Sequence, residues 1–245
     1  MESEDFQEIN TIVEEYEQNN NILDSKTIEA LRLQNPAQIL SNLYLSSAEP
    51  AKDLILLKQL QVNCVLNLTS YKYNSNELRF ATNYPPEITA KHIIMADEID
   101  VKLSDHLDEA LDFIHHTIGN NSLNRILIHC EAGISRSPSI VIAYLMRYYN
   151  QSLKAAYDCV KRCKNNVGPN TGFFKQLIQF EQQLSSNNST SGNNNFKPSI
   201  SLHDYLIQQM SEGTAASFTR DQISTALEKT NDQPHLAYNL LFSSM

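Results

Sequence analysis

Three residues in one short run could do chemistry: Cys130, Gly133 and Arg136, inside the segment RILIHCEAGISRSPSIVIAYLM that spans residues 125–146. The apolar stretch ending in His129-Cys130 reads as a buried strand, and a helix is expected to begin near Ser135 after a short loop. A strand–loop–helix junction aims loop N–H groups and the positive end of the helix into one concavity, where an anion is stabilised. A thiolate at the rim gains the same stabilisation, so the Cys130 pKa is expected to fall below the free value of about 8.5. Gly133 lets the loop turn tightly. Arg136 can hold two phosphate oxygens with a planar fork, which a lysine cannot do. The set is suited to nucleophilic attack on the phosphorus of a phosphate ester. A cysteine closing a core strand is, on its own, more often a small buried hydrophobe. The register with Gly133, Arg136 and Ser137 is what separates Cys130 from that reading.

Strands and helices that could position these residues alternate between Pro36 and Leu184. Short strands are expected at Leu43–Leu45, Val62–Leu68, His92–Met95 and Arg125–His129. Helices are expected at Leu54–Leu60, at Leu103–Ile118, at Ile140–Tyr149 with Pro138 in the first turn, and around Leu153–Lys164 and Phe173–Leu184. This alternation implies an α/β domain with a mainly parallel central sheet flanked by helices. Before it, residues 1–35 form an acidic segment in which Ile9, Ile12, Val13 and Tyr16 have helical spacing. After it, residues 185–201 (SSNNSTSGNNNFKPSIS) read as an Asn/Ser-rich flexible linker, and residues 202–245 as a small helical bundle.

Composition narrows the function classes. The chain has 245 residues, 41% hydrophobic and 19% charged, enough for a packed core. Of the net charge of −9, residues 1–35 carry −7, from nine acids and two bases. No basic surface is implied, so neither a nucleic acid nor a membrane is expected as partner. No stretch approaches about 20 uncharged apolar residues. The start, MESEDFQEIN, lacks the pattern of a secretory signal. Four cysteines do not make a disulfide scaffold, so a reducing cytoplasmic or nuclear setting is expected. Cys159 and Cys163 lie four apart on one helix face, but no second Cys or His pair accompanies them, and no metal or cofactor is assigned. Cys64 is expected in the core, with a disulfide to oxidised Cys130 as the open alternative.

The run His129-Cys130-Glu131-Ala132-Gly133-Ile134-Ser135-Arg136-Ser137 resembles the His-Cys-x5-Arg-Ser/Thr signature of cysteine-based protein phosphatases. Its flanks are similar to the dual-specificity branch: Ala143-Tyr144-Leu145-Met146 after it, Ile39-Leu40 and Leu43-Tyr44-Leu45 near the domain start, Val65-Leu66-Asn67-Leu68, and Gly168-Pro169-Asn170 with Gly172-Phe173. The resemblance implies that Cys130 is the nucleophile and forms a phosphocysteine intermediate. It implies that the backbone amides of Glu131, Ala132, Gly133, Ile134, Ser135 and Arg136, with the Arg136 side chain, bind phosphate. Ser137 would bond the sulfur and help it leave, and His129 would order the loop behind Cys130. A general acid is needed because an alkoxide or phenolate leaves poorly without a proton. Asp97 aligns with that position, with Glu98 and Asp100 as adjacent candidates.

The variable loop positions carry no lysine, which points to a mono-phosphorylated protein side chain rather than a multiply charged lipid headgroup. Tyr71, Tyr73 and Tyr84 are either an aromatic wall for the pocket or ordinary loop aromatics. The last two helices of the tail resemble those of ubiquitin-associated domains, whose implied partner is ubiquitin. The usual Met-Gly-Phe/Tyr loop is replaced by Met210-Ser211-Glu212-Gly213 and a longer run. A bundle that packs on the phosphatase or on itself is the other reading. At the level of the whole chain, the alternative to an enzyme is a catalytically silent phosphoprotein-binding module linked to ubiquitin recognition. The intact set Cys130, Arg136 and Asp97 favours the enzyme.

Overall fold

The computed structural model describes residues 36–70, 84–120, 123–188, 196–214 and 217–243. The helix expected within residues 1–35 lies outside them, as do Tyr71 and Tyr73. Five strands form one sheet in the order β1-β2-β5-β3-β4: β1 (Ala37–Leu40), β2 (Leu43–Ser46), β3 (Cys64–Asn67), β4 (Thr89–His92) and β5 (Ile126–His129). β1 and β2 pair antiparallel, and every other pairing is parallel. The mainly parallel sheet matches the expected fold class.

Strand periodicity explains why the sheet is buried on both faces. Leu43 and Leu45, Cys64 and Leu66, and Ile126 and Ile128 face the larger core with helices α3 (Ser104–Asn120), α4 (Arg136–Tyr148), α5 (Leu153–Cys163) and α6 (Thr171–Asn188). The alternate residues Tyr44, Val65 and Leu127 face a smaller cluster with Ala51 of α1 (Ala48–Lys52) and Leu57 of α2 (Leu54–Gln59). Asp53 caps α2 by accepting from the N–H groups of Ile55 and Leu56.

Strand β1 and helix α1 are not among the elements expected from sequence, and two further elements depart from the expectation. The strand expected at His92–Met95 is formed by Thr89–His92 instead. This edge strand is polar and half exposed, so it has no apolar alternation to read. The apolar run after it, Ile93 to Met95, buries Ile93 and Met95 while leading out of the sheet toward Asp97. Helix α6 runs to Asn188, into the segment read as a linker. The hydroxyls of Ser185 and Ser186 donate to the carbonyls of Glu181 and Gln182, which lets serines continue a helix. Residues 189–195 lie outside the described residues, and the chain returns docked: Ser199 donates its N–H to Glu181 at 3.0 Å, and its hydroxyl accepts from the Lys154 N–H at 2.9 Å.

The tail contributes α7 (Leu202–Gly213), α8 (Arg220–Lys229) and α9 (Pro234–Phe242), so the expected C-terminal helical bundle is present. Thr219 and Gln222 form a capping box at α8, and Pro234 opens α9. His203 ties α7 to α8 and to the turn that follows it, with Nδ1 2.6 Å from the Asp232 carboxylate and Nε2 3.0 Å from the Ser224 hydroxyl. Helix α7 is also packed on the α/β domain. The Tyr205 ring stacks on Phe174 at 3.6 Å and meets Tyr157 edge-on at 5.6 Å.

Candidate active site

The candidate residues gather at the carboxyl ends of β2, β3 and β5, the edge where open α/β sheets bind ligands. The loop from Cys130 to Ser135 leaves β5 and enters α4 at Arg136. Its base is pinned to both neighbouring strands: the Ala48 N–H donates to the Glu131 carbonyl at 3.0 Å, and the Leu68 N–H to the His129 carbonyl at 2.9 Å. Gly133 has φ +67°, and a Cβ there would lie 2.6 Å from the Ser46 carbonyl oxygen, so both the turn and the packing require glycine.

Cys130 is buried, and its sulfur accepts from the Gly133 N–H and the Ser137 hydroxyl, each at 3.2 Å. Behind it, the His129 Nδ1 makes a long 3.4 Å hydrogen bond to the Cys130 carbonyl. A carbonyl only accepts, so this nitrogen carries the proton. Burial pushes the His129 pKa down to about 4, and the hydrogen bond to Cys130 opposes that in part. That shift favours the neutral ring at neutral pH.

Arg136 is buried with its charge balanced on several sides. Nη1 donates to the carbonyls of Met95 at 3.2 Å and Leu68 at 3.4 Å, and Nη2 pairs with the Glu131 carboxylate. Nε lies 3.6 Å from Asp97 Oδ2 and makes no hydrogen bond among the described residues. A buried guanidinium with an unused donor is poised for an incoming oxyanion.

Asp97 is the acid whose carboxylate meets this loop. Its Oδ1 accepts from the Ser135 hydroxyl at 2.7 Å and from Asn170 Nδ2 at 2.8 Å. Glu98 instead contributes its carbonyl, to Asn170 and to the Val101 N–H. The Asp97 side chain is 35% exposed, against 7% for Arg136, so the carboxylate stands at the mouth and the guanidinium at the floor.

Some residues at the site were not singled out from sequence. The Glu131 side chain, expected to matter only through its amide, pairs with Arg136 and accepts from the Ser70 N–H at 3.2 Å. The Ser135 hydroxyl and Asn170 hold Asp97; Asn170 had only the signal of a landmark before the last helix. Lys164 is buried after α5; burial pushes its ammonium pKa down and the charge of Cys130 pushes back. Other expectations fall away. Cys64 pairs in register with Ile126, the residue four positions before Cys130, so about 13 Å of strand separates the two cysteines and a disulfide is excluded. Tyr84 donates its hydroxyl to the Ala51 carbonyl at 2.8 Å and packs on the smaller cluster, so it is a structural tyrosine.

Together these groups can bind a tetrahedral dianion at a helix N-terminus, present a sulfur nucleophile to it, and offer a carboxyl group at the opening. Comparison with known proteins agrees. Residues 43–183 match the dual specificity phosphatase catalytic domain family. The chain is 40% identical over 154 residues to human dual specificity protein phosphatase 9, covering 63% of this chain and 38% of that protein. It is 39% identical over 149 residues to human dual specificity protein phosphatase 7, covering 61% and 34%. The chain therefore spans little more than a third of these relatives. It is also 38% identical over 154 residues to putative tyrosine phosphatase 123R of Invertebrate iridescent virus 6, covering 63% of this chain and 97% of that one. The crystal structure of DUSP15 superposes with a TM-score of 0.52 at 26% identity, covering 64% of this chain and 99% of that chain.

Proposed function

The chain belongs to the dual specificity phosphatase family, and from that premise we propose that it hydrolyses phosphotyrosine and phosphoserine or phosphothreonine monoesters of proteins through a phosphocysteine intermediate. The observation that carries this reading is the Cys130 sulfur held by two donors at the head of α4, with the unused Nε of Arg136 and the Asp97 carboxylate facing the same opening.

In the first step the Cys130 thiolate attacks phosphorus, a sulfur–phosphorus bond forms, and the ester oxygen departs with a proton from Asp97. Loop amides and Arg136 hold the phosphoryl oxygens as charge shifts onto them. In the second step Asp97 takes a proton from water, which attacks phosphorus. Inorganic phosphate leaves, and the Ser137 hydroxyl stabilises the returning thiolate. Glu131 keeps the Arg136 fork oriented, and the absence of lysine in the loop suits a singly phosphorylated side chain.

The test is phosphate release from phosphotyrosine and phosphothreonine peptides, in metal chelator and reductant, beside Cys130→Ser. Release of both by the wild type alone is expected. Release by Cys130→Ser, or dependence on added metal, would overturn the reading.

A narrower proposal concerns the tail. We propose that α7–α9 form a ubiquitin-associated-like bundle with ubiquitin as partner. Its support is the three-helix arrangement and the apolar surface on α9, where Leu236 is 40% and Phe242 55% exposed. Helix α7 is committed to the α/β domain, so binding would use α8 and α9. Chemical-shift changes confined to those helices on adding ubiquitin, lost in Leu236→Asp, are expected; an unchanged spectrum would remove ubiquitin from the account.

A further inference from the structure

We propose that helix α7, which lies beyond the residues matched by the family, sets the position of the general acid, and that Asn170 and Tyr205 are the positioning residues through which it acts. The inference rests on Asp97 being that acid.

The path runs through the loop between α5 and α6. Asn170 touches Asp97 directly: Nδ2 donates to Asp97 Oδ1 at 2.8 Å. The amide cannot flip, because Oδ1 accepts from the Phe173 N–H at 2.9 Å on its other side. The Asn170 N–H donates at 3.0 Å to the Ser135 hydroxyl, whose own proton goes to Asp97 at 2.7 Å. Both of these donors to the Asp97 carboxylate therefore depend on where residue 170 sits. The acid loop is also seated on Gly172, where the Ile99 backbone leaves no room for a Cβ.

Residue 170 is held in turn from α7. The Tyr205 hydroxyl donates to the carbonyl of Pro169, one residue before Asn170, and the tyrosine is buried in a stack with Phe174. One turn on, Gln209 donates to the Tyr157 hydroxyl at 2.7 Å, and its Oε1 lies where a side chain on Gly168 would begin. Lys161 closes the arrangement, reaching the Val167 carbonyl at 2.9 Å and Glu212 of α7 at 2.6 Å. Beside the Tyr205 contact the loop meets the phosphate loop, where the Gly168 N–H donates to the Ile134 carbonyl at 2.8 Å. The loop is thus a brace with α7 at one end and the carboxylate at the other.

A positioning role has a signature that general loosening lacks. A misplaced acid slows departure of a poor leaving group and leaves a good one nearly untouched. The experiment compares kcat/KM, which covers the chemistry up to leaving-group departure, for phenyl phosphate and for the activated difluoromethylumbelliferyl ester. The proteins are the full-length wild type, Asp97→Asn, Asn170→Ala and Tyr205→Phe. Tyr205→Phe keeps the aromatic stack and loses one hydrogen bond. The expected losses on phenyl phosphate are about 10-fold for Asn170→Ala and roughly 5-fold for Tyr205→Phe, with the activated ester changed by less than about 2-fold. Equal losses on both esters, or no loss on either, would overturn the proposal. Asp97→Asn separates the two levels: if it shows no dependence on the ester, Asp97 is not the acid and the underlying reading fails; if it shows one while the other two variants do not, only the brace fails.

Discussion

The phosphate loop and the acid loop face each other across a few ångströms and are held by different means. The phosphate loop is fixed by backbone and packing: strands on both sides pin its base, Gly133 fills its turn, and Cys130 and Arg136 are buried. The acid loop is largely exposed, and its carboxylate is placed by side chains that come from residues 135 and 170. The proposed nucleophile, Cys130, is part of the core, whereas the proposed acid, Asp97, is tethered to it. Substitutions that disturb the backbone of the first region should act all or none and through folding. Those in the second should be graded, and visible in the chemistry alone.

The largest effect should come from Gly133→Ala. The new methyl meets the Ser46 backbone in a left-handed turn, so turnover should fall below detection with a stability loss of about 2–4 kcal/mol. An active Gly133→Ala protein would mean the loop is more compliant than its packing implies. Asp97→Asn should cost about 10²–10⁴ in kcat while leaving the urea midpoint near the wild-type value. A large fall in stability would show the acid loop to be structural after all.

The buried histidine gives the fixed region a pH signature. Unfolded His129 takes up a proton below about 6.5, whereas the folded side chain resists until about 4. The unfolded state binds more protons in that interval, so stability is fully present above the upper value and is lost as pH falls toward the lower one. The whole interval is worth about 3 kcal/mol. Urea midpoints should decline as pH falls through it, and His129→Asn should flatten the decline. An unchanged slope in that variant would assign the acid sensitivity to other groups. A smaller effect on turnover than that of Asp97→Asn belongs to Ser135→Ala, about 10-fold in kcat with stability retained. A loss matching Asp97→Asn would show that the hydroxyl, and not Asn170, does most of the positioning.

The same contrast explains what could be read from sequence. The phosphate loop is continuous in the chain, so Cys130, Gly133, Arg136 and Ser137 announce themselves by spacing, and the short apolar runs of β2, β3 and β5 read as buried strands. The tethers of Asp97 are discontinuous. Ser135 was visible as a loop position but not as a partner of residue 97, and Asn170 lies 73 residues from its acceptor. No local pattern encodes such a bond. Edge strand β4 escapes a sequence reading because an exposed strand lacks alternation, and the packing of the tail on the α/β domain stays open in the sequence, because the buried face of α7 suits a free bundle as well as a seat on Phe174 and Tyr157.

The most direct test of the central claim is to quench the enzyme during turnover of a phosphotyrosine peptide and locate the phosphoryl group by mass spectrometry. The account predicts a transient acid-stable adduct on the peptide that carries Cys130, absent from Cys130→Ser. Turnover in which no phosphoryl group is ever found on Cys130, or an adduct on another residue, would contradict it.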